Sequence, residues 1–121
     1  MKKILIVDDH KEIRRLVEIT LRGEDYHILQ AENGEEAIEM EKAEKPDLII
    51  MDVMMPGKID GIEATRILKK NPESKGCSII ILTSQGQKED IEKGFSAGAD
   101  DYFVKPFSPL ELIKKVEEII G

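Results

Sequence analysis

The chain has almost no cysteine. Cys77 is the only one in 121 residues, which excludes an intrachain disulfide framework. A lone cysteine of this kind reads as a small buried hydrophobe. Long apolar runs are also missing. Nothing approaches the roughly 18 residues a membrane span needs, and charges come early, at Lys2 and Lys3, so neither span nor leader is expected. Positive charge is in short supply: 18 basic residues stand against 25 acidic ones, a formal net charge of −7. That deficit argues against nucleic acid, which calls for a basic face, and equally against an anionic membrane surface. Linkers, internal repeats and low-complexity tracts are absent. One domain over residues 1–121, with no output domain and in the cytoplasm, is the expectation.

What is present is a regular succession of short apolar runs: ILIV (4–7), YHIL (26–29), LIIM (48–51), IIIL (79–82) and YFV (102–104). Three of them are continuous, not alternating, as strands covered on both faces are. Helical spacing fills the gaps. Ile13, Leu16, Val17, Thr20 and Leu21 make one stripe. Ile91, Gly94, Phe95 and Gly98 make a narrower one, and Leu112, Ile113, Val116, Ile119 and Ile120 a strong one. Gly23, Asn33-Gly34, Lys45-Pro46, Asn71-Pro72, Gly98 and Ser108-Pro109 punctuate the boundaries. Five β-α units in sequence predict an α/β fold, a doubly wound parallel sheet with helices on both faces. Gly86, Gly94 and Gly98 fall in the fourth helical segment, and each costs about 1 kcal/mol in a helix interior. That helix is expected to be loosely held.

In such a sheet, ligands bind beyond the carboxyl ends of the strands. Asp8, Asp9 and His10 follow the first strand; Asp52, Val53 and Met54 follow the third. Thr83 and Ser84 follow the fourth, and Lys105-Pro106 the fifth. Three carboxylates crowded together cannot all stay ionised unaided. A hard divalent cation with oxygen ligands, Mg²⁺ above all, removes the difficulty. With Lys105 it brings the three acids to neutrality. A phosphoryl group on Asp52 would take that side chain from −1 to about −2, and the metal and Lys105 are the positive groups available to stabilise it.

The segments ILIVDD, MDVMMPG, ILTS and GADDYFVKP, in this order at the predicted strand ends, resemble the response-regulator receiver domain, the CheY-like module of two-component signalling. The resemblance covers the whole chain. It implies a five-stranded sheet in the order 2-1-3-4-5. It implies Asp52 as phosphoacceptor, serving a sensor histidine kinase or a histidine phosphotransfer protein. Asp9 and Asp52 would hold Mg²⁺ (Mn²⁺ able to substitute), with Met54 through its backbone carbonyl and Asp8 mainly through a water. Lys105, oriented by a cis bond to Pro106, would pair with Asp52 and then with phosphoryl oxygens. Thr83 would bind a phosphoryl oxygen, and Tyr102 would swing inward with it, reshaping the surface of the fourth helix, fifth strand and fifth helix. Met54 and Gln85 would tune dephosphorylation.

The resemblance further implies a stand-alone switch, not a multiple-turnover enzyme. It would signal to a separate effector protein, or relay the phosphoryl group, as a monomer or weak phosphorylation-dependent dimer. Two other readings compete. An unphosphorylated interaction module should lack an acceptor, metal acid or lysine. An Asp-nucleophile phosphatase wants a second acid two residues on, where Met54 stands. One departure is visible: two residues, Lys58 and Ile59, separate Gly57 from Asp60-Gly61, where the family pattern has one. His10, His27 and the glutamates at 35, 36, 39, 41 and 44 read as solvent-facing or strand residues without a functional role.

Overall fold

In the computed structural model, which describes residues 1–84 and 88–121, ten elements alternate along the chain. They are β1 (Lys2–Val7), α1 (Lys11–Leu21), β2 (Tyr26–Ala31), α2 (Gly34–Glu44) and β3 (Leu48–Asp52). There follow α3 (Gly61–Lys70), β4 (Ser78–Ser84), α4 (Lys88–Ser96), β5 (Asp101–Lys105) and α5 (Pro109–Ile120). The strands form one parallel sheet in the order β2-β1-β3-β4-β5, as expected.

The continuous apolar strands are explained by what covers them. Leu5, Val7, Ile49, Met51, Ile79 and Ile81 point to one face, where they meet Ala37 of α2 and Ala64 and Leu68 of α3. Ile4, Ile6, Leu48, Ile50, Ile80 and Leu82 point to the other, against Val17 and Leu21 of α1 and Leu112 and Val116 of α5. Each of these side chains is thus removed from water whichever way it points. Burying one such side chain stabilises by about 1.5–3 kcal/mol before chain entropy is counted. Cys77 belongs to the first of these cores, and burial, then the nearby Glu41 charge, pushes its thiol up to about 12. It is a small buried side chain, as the sequence predicts.

Caps fix where helices begin. Asn33 and Asp60 accept from the backbone N–H groups of Glu36 and Glu63, both at 2.8 Å, and Ser108 accepts from Glu111 N–H at 3.4 Å ahead of Pro109.

Two details depart from the sequence reading. In α1, Leu16 is 47% exposed, whereas Arg14 is buried beside Val17 and Leu21. A hydrophobicity stripe alone assigns those two positions the wrong way round. In the fourth helical segment, α4 ends at Ser96, so Gly98 lies outside it, at φ +109°. A positive φ there closes the helix end, and glycine adopts it freely. Gly86 lies outside the described residues. Only Gly94 is interior to α4, and a Cβ on it would stand 2.1 Å from Ile81 Cδ1. This glycine brings α4 close to the sheet, and Gly98 does not count among the interior glycines that the sequence reading assigned to this helix.

Candidate functional site

The register sets the carboxyl ends of four strands along one edge. Val7 pairs with Met51, Asp52 with Leu82, and Ser84 with Lys105. Asp8 follows β1 directly, Asp52 closes β3 and Lys105 closes β5. Residues far apart in sequence therefore project from the same rim.

Their contacts are specific. Lys105 Nζ donates to Asp52 Oδ1 at 2.9 Å and to Asp8 Oδ2 at 3.0 Å. Asp8 is fully buried and Asp52 is 4% exposed, while Asp9 remains partly open to solvent. Two buried carboxylates thus share one ammonium. Burial raises the Asp52 pKa to about 6; the Asp8 and Asp9 charges add to the rise, and the Lys105 bond and charge oppose it. Burial alone would lower the Lys105 pKa, but its bonds to Asp52 and Asp8 and their charges hold it above the usual lysine value. Lys105 therefore stays charged, and Asp52 is mostly ionised at pH 7.

His10 joins this cluster. Its backbone N–H donates to Asp8 Oδ1 at 2.8 Å, and its Nδ1 lies 3.1 Å from the same oxygen and 3.3 Å from Asp9 Oδ1. One ligand atom from each of Asp8, Asp9, His10 and Asp52 can be chosen so that all four lie within 4.8 Å of one another. The oxygen-rich donor set and its surplus of negative charge fit a divalent cation.

The backbone is braced from both sides. Arg14, 7% exposed, donates from Nη1 to the Asp8 carbonyl at 2.7 Å and from Nε to Gln30 Oε1 at 3.0 Å. Gln30 in turn donates to Glu18 at 2.7 Å. Behind Asp52, Gly61 opens α3 and donates to the Val53 carbonyl at 2.9 Å. A Cβ on Gly61 would stand 1.8 Å from the Asp52 carbonyl oxygen, so only glycine lets α3 start this close to the acceptor strand. The longer loop is accommodated by α2. Ile59 donates its N–H to Glu35 Oε1 at 3.2 Å and packs on Gly34, while Gly57 takes φ +111° beside the Glu35 carboxylate. Glu35 is therefore not a purely solvated residue.

The remaining predicted positions are these. Thr83 is buried and gives its hydroxyl to the Ser84 carbonyl at 3.2 Å. Tyr102 is half-buried, its ring edge-on to Phe95 at 6.0 Å between centroids. The Lys105-Pro106 bond is cis. Met54 is 73% exposed beside an open groove lined by Asp9, Met54, Met55, Pro56 and Asp60. Gln85 lies outside the described residues. Sequence reasoning missed the second Lys105 contact, to Asp8, as well as Arg14 and His10. The available signals were a basic residue on the inward side of α1 and a histidine adjoining two acids.

This geometry defines a class. The chain matches the response regulator receiver domain over residues 4–117 and belongs to that family. It is 48% identical over 118 residues to the transcriptional regulatory protein ResD of Bacillus subtilis, covering 98% of this chain and 48% of that protein. It is 41% identical over 119 residues to the phosphate regulon transcriptional regulatory protein PhoB of Pseudomonas aeruginosa, covering 98% and 52%. The chain spans about half the length of these relatives. Among solved structures, the chemotaxis response regulator CheY4 of Vibrio cholerae matches with a TM-score of 0.90 at 33% identity over 99% of both chains. Receiver domains of two-component systems take phosphoryl groups from histidine kinases, and phosphorylation-dependent signalling is the function of this class. Among the described residues, no helix is long and apolar enough to cross a membrane.

Proposed function

We propose that Asp52 is the phosphoacceptor of a signalling switch and that the observation carrying this role is the Lys105 ammonium held on both Asp52 and Asp8. Phosphoryl transfer depends on in-line positioning and charge neutralisation more than on acid-base groups. An Asp52 carboxylate oxygen attacks phosphorus. The P–N bond of a phosphohistidine, or the P–O bond of a small acyl phosphate, breaks, and the imidazole or carboxylate leaves. Lys105 is placed to keep its ion pair as the charge on Asp52 grows. Asp9 and Asp52, with the Met54 backbone carbonyl and with Asp8 mainly through a water, would hold Mg²⁺, which supplies the second positive charge at the acceptor. The open groove at Asp9, Met54 and Pro56 gives a donor histidine its approach.

In this reading Thr83 receives a phosphoryl oxygen and Tyr102, now edge-on to Phe95, moves with it, altering the face made by α4, β5 and α5. Met54 and Gln85 set how long the mark lasts. The domain turns over no external substrate. It works in the cytoplasm, as a monomer or a weak phosphorylation-dependent dimer, with no nucleic-acid contact of its own. In one reading the altered face acts on a separate effector protein, and the likeness to the chemotaxis response regulator CheY4 supports it. The identity with ResD and PhoB favours a second reading, in which the altered face controls a transcriptional regulator.

The test is incubation with acetyl phosphate, with and without Mg²⁺, read by intact mass. One phosphoryl group should be gained, and it should be lost on chelation and in Asp52→Asn. Gain by Asp52→Asn equal to wild type would refute the role of Asp52.

A further inference from the structure

The imidazole of His10 has a position that its helix does not demand. His10 stands at the N-cap of α1, yet its side chain makes no capping hydrogen bond. Asn33, Asp60 and Ser108 use theirs to cap. The His10 ring turns toward the two acids that follow β1 instead, with Nδ1 3.1 Å from Asp8 Oδ1 and 3.3 Å from Asp9 Oδ1. Adjacent ligands of a six-coordinate ion stand roughly 3 Å apart when metal–ligand bonds are about 2.1 Å. Nδ1 stands from an oxygen of each acid at about the distance that separates neighbouring ligands. The ring is 63% exposed, so an ion reaches it without any rearrangement of the core.

We propose that His10 Nδ1 is a nitrogen ligand of the receiver's cation site, and that it makes the site prefer a first-row transition dication to Mg²⁺. The inference rests on the proposed function only for the presence of that cation site. Its chemical basis is the donor set. Carboxylate, carbonyl and water oxygens suit Mg²⁺, whereas imidazole suits transition metals, whose affinity for a nitrogen-containing site rises from Mn²⁺ to Ni²⁺. Oxygen ligands alone give a shallower rise along that series. One nitrogen added beside Asp8 and Asp9 changes that. The abundance of each ion would then decide which of them loads the switch.

The experiment compares wild type with His10→Gln and His10→Ala, metal by metal. Calorimetry should give a loss of Ni²⁺ affinity of about tenfold or more in both variants. The loss of Mg²⁺ affinity should stay under about twofold. Pulsed electron paramagnetic resonance of the Mn²⁺-loaded protein should show histidine nitrogen modulation in wild type and none in His10→Gln. His10→Gln keeps the backbone bond to Asp8 and a polar side chain, which separates ligation from the shape of the turn. Equal losses for Ni²⁺ and Mg²⁺, or Mn²⁺ bound without histidine nitrogen, overturn the proposal and leave the oxygen site intact. Failure of wild type to bind any of the three ions removes the site itself, and with it the metal part of the proposed function.

Discussion

Lys105 Nζ and Asp52 Oδ1 are 2.9 Å apart across 53 residues of chain, and the same ammonium reaches Asp8 Oδ2 at 3.0 Å. A single cation therefore holds two carboxylates that burial has stripped of water. Lys105→Met should leave them unbalanced. Breaking a buried pair from one side costs about 3 kcal/mol, and urea denaturation should report a loss of that order. Saturating Mg²⁺ should restore more stability to Lys105→Met than it adds to wild type. Equal Mg²⁺ effects would mean that lysine and metal do not address the same charges.

The raised pKa of Asp52 gives a pH signature. The folded protein holds this proton up to about pH 6, whereas an unperturbed aspartate loses it near 3.8. A pKa raised on folding contributes stability at low pH that is lost as pH climbs through the folded value. Without metal, wild-type stability should therefore fall between about pH 4 and 6, by at most about 3 kcal/mol from this group. Asp52→Asn carries no such proton and should be flatter across that window. Parallel pH profiles for the two proteins would contradict the assignment.

Gly61 should resist substitution. Gly61→Ala places a methyl 1.8 Å from the Asp52 carbonyl oxygen, against backbone that cannot rotate away. Overpacking of this kind costs about 2–3 kcal/mol, and phosphorylation by acetyl phosphate should slow because the acceptor strand is displaced. Gly23→Ala is the control, since nothing lies within 4 Å of its Cβ position. Its melting temperature and phosphorylation rate should match wild type.

Arg14 should matter more than a surface arginine. Arg14→Ala removes the donor that satisfies the Asp8 carbonyl and the Gln30 amide oxygen. Hydrogen bonds from a charged group are worth about 1.5–3 kcal/mol each, so a loss of about 2 kcal/mol or more is expected. Mg²⁺ affinity should also fall, because Asp8 and Asp9 lie on the turn that Arg14 anchors. Arg15→Ala, at an exposed position on the same helix, should change neither measurement.

Most of the fold was legible because its signal is local. Strands such as Ile79 to Leu82 are apolar at every position, and only a sheet covered on both faces buries all of them. The acids and Lys105 were legible because each stands at the end of such a strand. Arg14 was not, since its burial answers the Asp8 carbonyl, a partner the helix pattern does not contain. His10 was hidden for a similar reason: sequence places it at a helix start, where a ring facing solvent and a ring folded over two acids read alike. Ile59 shows the same limit in the loop. That it packs on Gly34 and bonds Glu35 depends on how α2 and α3 approach each other, which neither segment records.

The central claim is that Asp52, alone among the three acids at this rim, becomes phosphorylated. Acetyl phosphate and Mg²⁺ would load the protein, borohydride would reduce the acyl phosphate to homoserine, and peptide mass spectrometry would locate the conversion. The account predicts homoserine at position 52 and unchanged aspartate at positions 8 and 9. Homoserine at position 8 or 9, or at none of the three in protein that has gained a phosphoryl group, would contradict it.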